Sequence, residues 1–307
     1  MNFLTEREII DRINELRKRK NAIIITHNYQ LGEVQDIADF TGDSLELSMK
    51  AAETTADVIV FCGVKFMAET AAILSPEKTV LLPVMESGCP MADMADAEDL
   101  IKMKNAHPGA LVVTYVNSSA EVKALTDVCV TSANALKIVS SLPADREIIF
   151  VPDKNLGAYV QRKTGRKMIL WPGFCPTHMR ISPQSVLQKK REYPDAKVMI
   201  HPESRPDVID IADEVLSTGG MCKFAKQTDA KKIIVATELG LIYRLRKENP
   251  DKMFIPVTEQ AVCPNMKMHR IDSVLEALEK MRYRIVVPED IRVSAEKAIR
   301  KMLEMSK

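Results

Sequence analysis

Three cysteines, each followed by proline, stand at nearly equal intervals: Cys89, Cys175 and Cys263 are 86 and 88 residues apart. Thiolates are soft ligands, suited to zinc and to iron–sulfur centres. A single cysteine is most often a small buried hydrophobe. A core cysteine, however, has no need to recur in the same loop, before the same proline, in three places. If the three meet, they hold one metal centre, and three thiolates leave a coordination position open to a substrate oxygen. The residue types alone do not separate zinc from an iron–sulfur cluster, and no paired C-x-x-C motif is present. Cys62, Cys129 and Cys222 share no register and read as core residues.

The same interval recurs in other side chains able to do chemistry. His27, Tyr115 and His201 end the apolar runs AIIITH, LVVTY and VMIH at steps of 88 and 86 residues. Tyr29, Asn117 and Glu203 follow two residues later in each copy, and Ser44, Ser132 and Thr218 follow at 17. Glu203 and His201 are suited to acid–base exchange, with Tyr29 and Tyr115 as further proton carriers. Hydroxyls at helix starts serve as N-caps, or join free helix N–H groups in holding phosphate or carboxylate. Ser217-Thr218-Gly219-Gly220 is the most phosphate-like of these segments. His178 follows Cys175 by three residues and has no counterpart in the other copies. His107 and His269 lack such a context and read as surface residues.

These registers make the chain of 307 residues three copies of one unit. The expected domains are 1–88, 89–174 and 175–266, with 267–307 packing back on the first. A further set of strands, ADVIVFCG, REIIFVPD and KKIIVATE, alternates with helix-period segments such as FMAETAAIL and LGLIYRLRKEN. Such alternation predicts parallel sheets covered by helices on both faces. The fold expected is therefore α/β: three homologous αβα three-layer domains around a pseudo-threefold axis. In open parallel sheets ligands bind beyond the carboxyl ends of the strands, where all of these polar residues fall.

Composition narrows the function classes. Hydrophobic residues make up 46% of the chain, enough for a core in each unit. Lys+Arg 43 against Asp+Glu 42, a net charge of +1, argues against a nucleic-acid or membrane-surface binder. No apolar stretch approaches the roughly 20 residues of a membrane span. The N-terminal MNFLTEREIIDRINELRKRK reads as an amphipathic helix without a signal-peptide core. The expected location is the cytoplasm, with thiols rather than disulfides.

Across essentially its whole length the sequence resembles the quinolinate synthase family. The carriers are Thr26-His27-Asn28-Tyr29-Gln30, DIADFTGDSLELS, Cys89-Pro90-Met91-Ala92, Tyr115-Val116-Asn117-Ser118, CVTSANA and PDKNLGAYV, then Cys175-Pro176-Thr177-His178, His201-Pro202-Glu203, STGGM, ATELGLIYRL and Val262-Cys263-Pro264-Asn265-Met266. The resemblance implies a [4Fe–4S] cluster on Cys89, Cys175 and Cys263, with one iron free for substrate. It implies condensation of iminoaspartate with dihydroxyacetone phosphate to quinolinate, with an aspartate oxidase or dehydrogenase supplying the iminoaspartate. By motif, the site would contain His27, Tyr29, Ser44, Tyr115, Asn117, Ser132, His178, His201, Glu203, Ser217 and Thr218. Some members of that family carry further cysteines near the third ligand. Cys263-Pro264-Asn265-Met266 offers no second thiol for a regulatory disulfide there. Two readings of the residues compete: a zinc-dependent lyase or aldolase on the same frame, and a non-catalytic iron–sulfur sensor. A sensor calls for a partner-binding or nucleic-acid element, and the sequence has no basic stripe.

Overall fold

The apolar runs are short, rich in β-branched residues and almost free of charge, and they form strands. In the computed structural model, which describes residues 4–307, they make three four-stranded sheets. The first contains β1 (Ala22–His27), β2 (Phe40–Gly42), β3 (Val58–Cys62) and β4 (Thr79–Leu81). The second contains β5 (Leu111–Tyr115), β6 (Val128–Val130), β7 (Ile148–Val151) and β8 (Met168–Leu170). The third contains β9 (Lys197–Ile200), β10 (Glu214–Val215), β11 (Lys232–Ala236) and β12 (Met253–Pro256).

Each sheet has the same order, second–first–third–fourth, and every pairing within it is parallel. Strand-to-strand pairing sets the alignment: Ile23 lies opposite Ile59, Val112 opposite Ile149, and Val198 opposite Ile234. Parallel strands require crossover connections, and the helices between them cover both faces. The architecture is thus three αβα units of one topology. A continuous apolar core runs through all three, including Ile25, Val113 and Met199 from their first strands. The outward face of each sheet has its own smaller core, around Ile24, Val112 and Val198 respectively. Because the shared core ties the inner helices together, the strand ends of the three units open toward one place.

The segment after Cys263 divides between two units. Helix Ile271–Lys280 packs on helix Glu6–Arg19 and β3. The chain then runs beside β4, where Leu82 and Tyr283 exchange main-chain hydrogen bonds of 2.9 and 3.2 Å. The last helix, Glu289–Ser306, departs from the expectation that the whole segment returns to the first unit. It packs on helix Ala120–Ala124 and β6 of the second unit and on helix Lys65–Leu74 of the first. Its buried stripe, Ala295, Ala298, Ile299 and Met302, has the helical spacing that fills such a groove.

His269 also departs from its surface reading. It is fully buried, and its Nε2 lies 2.6 Å from the carbonyl oxygen of Gly63, in the loop that follows β3. Burial holds its pKa down at about 4. Below the ordinary histidine value of roughly 6.5, the unfolded chain takes up a proton that the folded chain refuses. Stability is therefore lost as pH falls from there toward 4. Relative to His269→Gln, the native chain is expected to lose about 2 kcal/mol between about pH 7 and pH 5. Urea unfolding of both proteins at the two pH values measures it. A difference independent of pH would show that the ring takes up its proton as readily in the fold as in the unfolded chain.

Candidate active site

Each cysteine-proline segment follows the last strand of its sheet and leads into a helical turn. Cys175 is the N-cap of helix Pro176–Met179, with proline at the first helical position. Cys89 and Cys263 precede single 3-10 turns at Ala92–Met94 and Asn265–Lys267. Proline suits such a start, because its fixed φ is helical and its missing N–H is not needed there. Backbone N–H groups of the turn then point at sulfur: those of Met91 and Ala92 at Cys89, His178 at Cys175, and Asn265 and Met266 at Cys263. Such N–H groups stabilise negative charge on a thiolate. Burial pushes the thiols up, Cys89 to about 12 and Cys175 and Cys263 in the same direction. A metal reverses this, because its charge deprotonates the thiols that bind it.

All three thiols line one cavity at the carboxyl ends of the three sheets. With the exception of Ser217, every other residue singled out from the sequence lines it too: His27, Tyr29, Ser44, Tyr115, Asn117, Ser132, His178, His201, Glu203 and Thr218. Cys62, Cys129 and Cys222 are buried away from it, and His107 pairs with Glu147 at 3.0 Å on the outside.

Glu203 is the centre of the polar side of the cavity. The Tyr115 hydroxyl donates to its Oε1 at 2.5 Å, and His178 Nδ1 lies 2.8 Å from its Oε2. Burial works against charge on Glu203. The nearby His178 and His201, with hydrogen bonds from His178 and Tyr115, outweigh that, and the carboxyl stays well below its usual range. The same carboxylate compounds burial in pushing the Tyr115 and Tyr29 hydroxyls well above theirs. His27 and His201 are alike in role: each Nδ1 accepts a backbone N–H two residues on, from Tyr29 at 3.2 Å and Glu203 at 3.3 Å. Burial holds both rings near a pKa of about 3, so they are neutral, and the proton sits on Nε2. They offer N–H donors, not acids.

The hydroxyl residues sit at or beside helix starts, and of them only Ser217 is a cap. Asp43 caps helix Ser44–Glu53, and Ser217 caps helix Thr218–Gln227. Ser44 and Thr218 are therefore first helical residues with side chains free of capping duty. Thr218 Oγ1 accepts a hydrogen bond from Asn28 Nδ2 at 2.9 Å, which leaves its own proton for a ligand. Ser217 lies behind, with its hydroxyl on Asp43 at 3.1 Å. Asn117 Oδ1 is buried with no partner among the described residues, an acceptor waiting for a donor.

Sequence reasoning missed Asp43, Thr237 and Glu238, and the apolar wall of Val64, Phe66 and Met67. The available signal was the set ADVIVFCG, REIIFVPD and KKIIVATE, whose last residues fall at the strand ends that carry the site. The wall has the composition of ordinary core and gives no separate signal.

A cavity with its base already ionised, its imidazoles fixed as donors and three thiols on its wall is the working site of an enzyme for a small polar substrate. A family model described as "Quinolinate synthetase A protein" matches residues 11–304, and the chain belongs to that family. It is 59% identical to a quinolinate synthase of Dehalococcoides mccartyi strain CBDB1 over 300 residues, covering 97% of this chain and 99% of that one. It is 54% identical to the quinolinate synthase of Thermodesulfovibrio yellowstonii, covering 96% and 98%. To quinolinate synthase 1 of Methanosarcina acetivorans it is 53% identical, covering 98% of each. Among the described residues no helix is long and apolar enough to cross a membrane.

Proposed function

We propose that the chain condenses iminoaspartate with dihydroxyacetone phosphate to give quinolinate, phosphate and two waters. The observation that carries this is the meeting of Cys89, Cys175 and Cys263 with Glu203 on one cavity. The atoms balance with no net redox change, so the reaction is one of carbon–carbon bond formation, dehydration and ring closure.

The thiols fit a [4Fe–4S] cluster better than zinc. Ligand sulfurs on one zinc, at about 2.3 Å from the metal, lie within roughly 4 Å of each other. Among the described residues the set of possible ligand atoms lying within 4.8 Å of one another is Cys175, His178 and Glu203, not the three thiols. His178 and Glu203 already satisfy each other and Tyr115. The wider spacing of the thiols supports a polynuclear group bridging three loops. When bound, the cluster supplies a Lewis-acidic iron to a substrate oxygen.

The side chains divide the remaining work. Ser44 and Thr218, with the N–H groups of their helices, and Ser132, in the turn before its helix, bind phosphate and carboxylate oxygens. His27 and His201 donate from Nε2 to carbonyl or developing alkoxide oxygen and stabilise its charge. Asn117 Oδ1 accepts from an imine or hydroxyl proton. Glu203 takes and returns carbon-bound protons, while Tyr115 and His178 hold its two oxygens in place. Tyr29 and His178, joined through Thr237, carry protons to departing hydroxyl groups. The apolar wall of Phe66 and Met67 keeps bulk water from the imine. An aspartate oxidase or dehydrogenase would supply the iminoaspartate, and the reducing cytoplasm suits six free thiols.

The test is anaerobic turnover of the iron-loaded protein with the two substrates, followed by the appearance of quinolinate. Formation at an enzymic rate is expected. No quinolinate from protein with full iron and sulfide would contradict the proposal.

A further inference from the structure

Behind the Thr218 hydroxyl a polar chain crosses the seam between the first and third units. Arg244, on helix Gly240–Glu248, reaches from the third unit into the first. Its Nη1 donates to Asn28 Oδ1 at 2.6 Å and to the Thr41 carbonyl oxygen at 2.8 Å. Its Nε donates to Glu248 at 2.7 Å, one turn further along its own helix. Asn28 is fully buried in the loop after β1. Its main chain is fixed as well: its N–H donates to the Gly42 carbonyl oxygen at 3.0 Å, and its carbonyl oxygen accepts from Gln35 at 3.3 Å. Asn28 Nδ2 then donates to Thr218 Oγ1, back in the third unit.

This chain has one polarity. A guanidinium has five N–H donors and no acceptor. The amide atom that faces Arg244 is therefore the oxygen, and the atom that faces Thr218 is the NH2 group. A threonine hydroxyl that has accepted one bond still has its own proton to give. Among the described residues the bond from Asn28 is the one that Thr218 Oγ1 makes, so no protein acceptor takes that proton. The Asp43 carboxylate on the same wall is already occupied. Its Oδ1 accepts the N–H groups of Leu45 and Glu46, each at 3.0 Å, and its Oδ2 accepts the Ser217 hydroxyl at 3.1 Å. Thr218 lines the cavity, and its proton is left for an oxygen bound there.

We propose that Arg244 and Asn28 are positioning residues that set the Thr218 hydroxyl as a hydrogen-bond donor to an anionic ligand oxygen, of phosphate or carboxylate. The inference rests on the reading that Thr218 binds substrate oxygens. Arg244 holds the amide one way round, and Asn28 carries that orientation to the hydroxyl. Asn28 and Thr41 belong to the first unit, Arg244 and Thr218 to the third. The donor is therefore set where the two units dock. Neither positioning residue lines the cavity.

The experiment titrates the full-length, anaerobic, cluster-loaded enzyme with inorganic phosphate and with succinate, a plain dicarboxylate, by calorimetry. Asn28→Asp is nearly isosteric and keeps a partner for Arg244. A carboxylate only accepts, so it takes the Thr218 proton and turns the hydroxyl's lone pairs to the cavity. Asn28→Asp is expected to weaken at least one anion by about 10–100-fold, the range of a hydrogen bond to a charged group, without lowering the melting temperature. The new charge itself repels anions, so a second comparison isolates the hydroxyl. Thr218→Val is expected to weaken the same anion about 10–100-fold in the native background and less than about threefold on top of Asn28→Asp. Arg244→Met frees the amide to turn and is expected to weaken that anion too, whereas Arg244→Lys keeps a donor to Asn28 Oδ1 and restores it. Loss for phosphate alone, or for succinate alone, supports the proposal and names the anion that Thr218 holds. Wild-type affinity for both anions in Asn28→Asp, or an equal cost of Thr218→Val in the two backgrounds, overturns it, as does a wild type that binds neither anion. Should Asn28→Asp not fold, equal affinities in Arg244→Met and Arg244→Lys overturn it. A wild-type enzyme that binds the anion and makes no quinolinate would instead sink the reaction proposed above, and the titrations would still decide the role of Asn28.

Discussion

Replacing Glu203 with glutamine is expected to lower turnover by about 10²–10⁴-fold while leaving iron and sulfide in place. Glutamine is nearly the same shape, so the cavity keeps its outline. It has one acceptor oxygen in place of two. It therefore cannot accept hydrogen bonds from both the Tyr115 hydroxyl at 2.5 Å and His178 Nδ1 at 2.8 Å. Nor can an amide take a proton from carbon at neutral pH. The carboxylate is held ionised by those same two neighbours, so the native enzyme has its base ready without titrating it. The thiols are untouched, which separates loss of chemistry from loss of the centre. Turnover and iron content of one preparation measure both. A variant that turns over near the wild-type rate would reduce Glu203 to a binding residue.

The site was legible where the chain repeats itself in side-chain type. His27, Tyr115 and His201 end equivalent strands, so an interval alone places them together. The cysteine-proline loops are legible for the same reason. The helix starts were legible and the capping residue was not: Asp43 and Ser217 take the capping bonds, and Ser44 and Thr218 open the helices. Cap and first helical residue are both short and polar, so spacing alone does not tell which one bonds. Val64, Asp153 and Glu238 occupy matching strand ends and share no chemistry. Asp153 is a buried cap for the N–H groups of Asn155 and Leu156, and Glu238 anchors Cys263. Difference in type hid the register. His269 and the final helix depended on long-range packing. An isolated histidine and an amphipathic stripe state that something is to be buried, not against what.

The central claim is that the loops after the last strands of the three sheets each contribute one thiolate to a single centre. Geometry makes the three ligands interdependent. Each sulfur follows the last strand of a different sheet and receives N–H groups from its own loop. Cys62 and Cys129 are completely buried in or beside the sheets, and Cys222 lies in helix Thr218–Gln227, away from the cavity lining. Loss of a ligand is therefore expected to cost the whole centre, while loss of a core thiol costs only the packing of a small side chain. The most direct measurement is iron and acid-labile sulfide in six anaerobically reconstituted proteins, each with one cysteine changed to alanine. Cys89→Ala, Cys175→Ala and Cys263→Ala are expected to lose the brown chromophore and most of their iron and sulfide. Cys62→Ala, Cys129→Ala and Cys222→Ala are expected to keep both. Full iron and sulfide in Cys175→Ala, or their loss in Cys129→Ala, would contradict the assignment of the ligands.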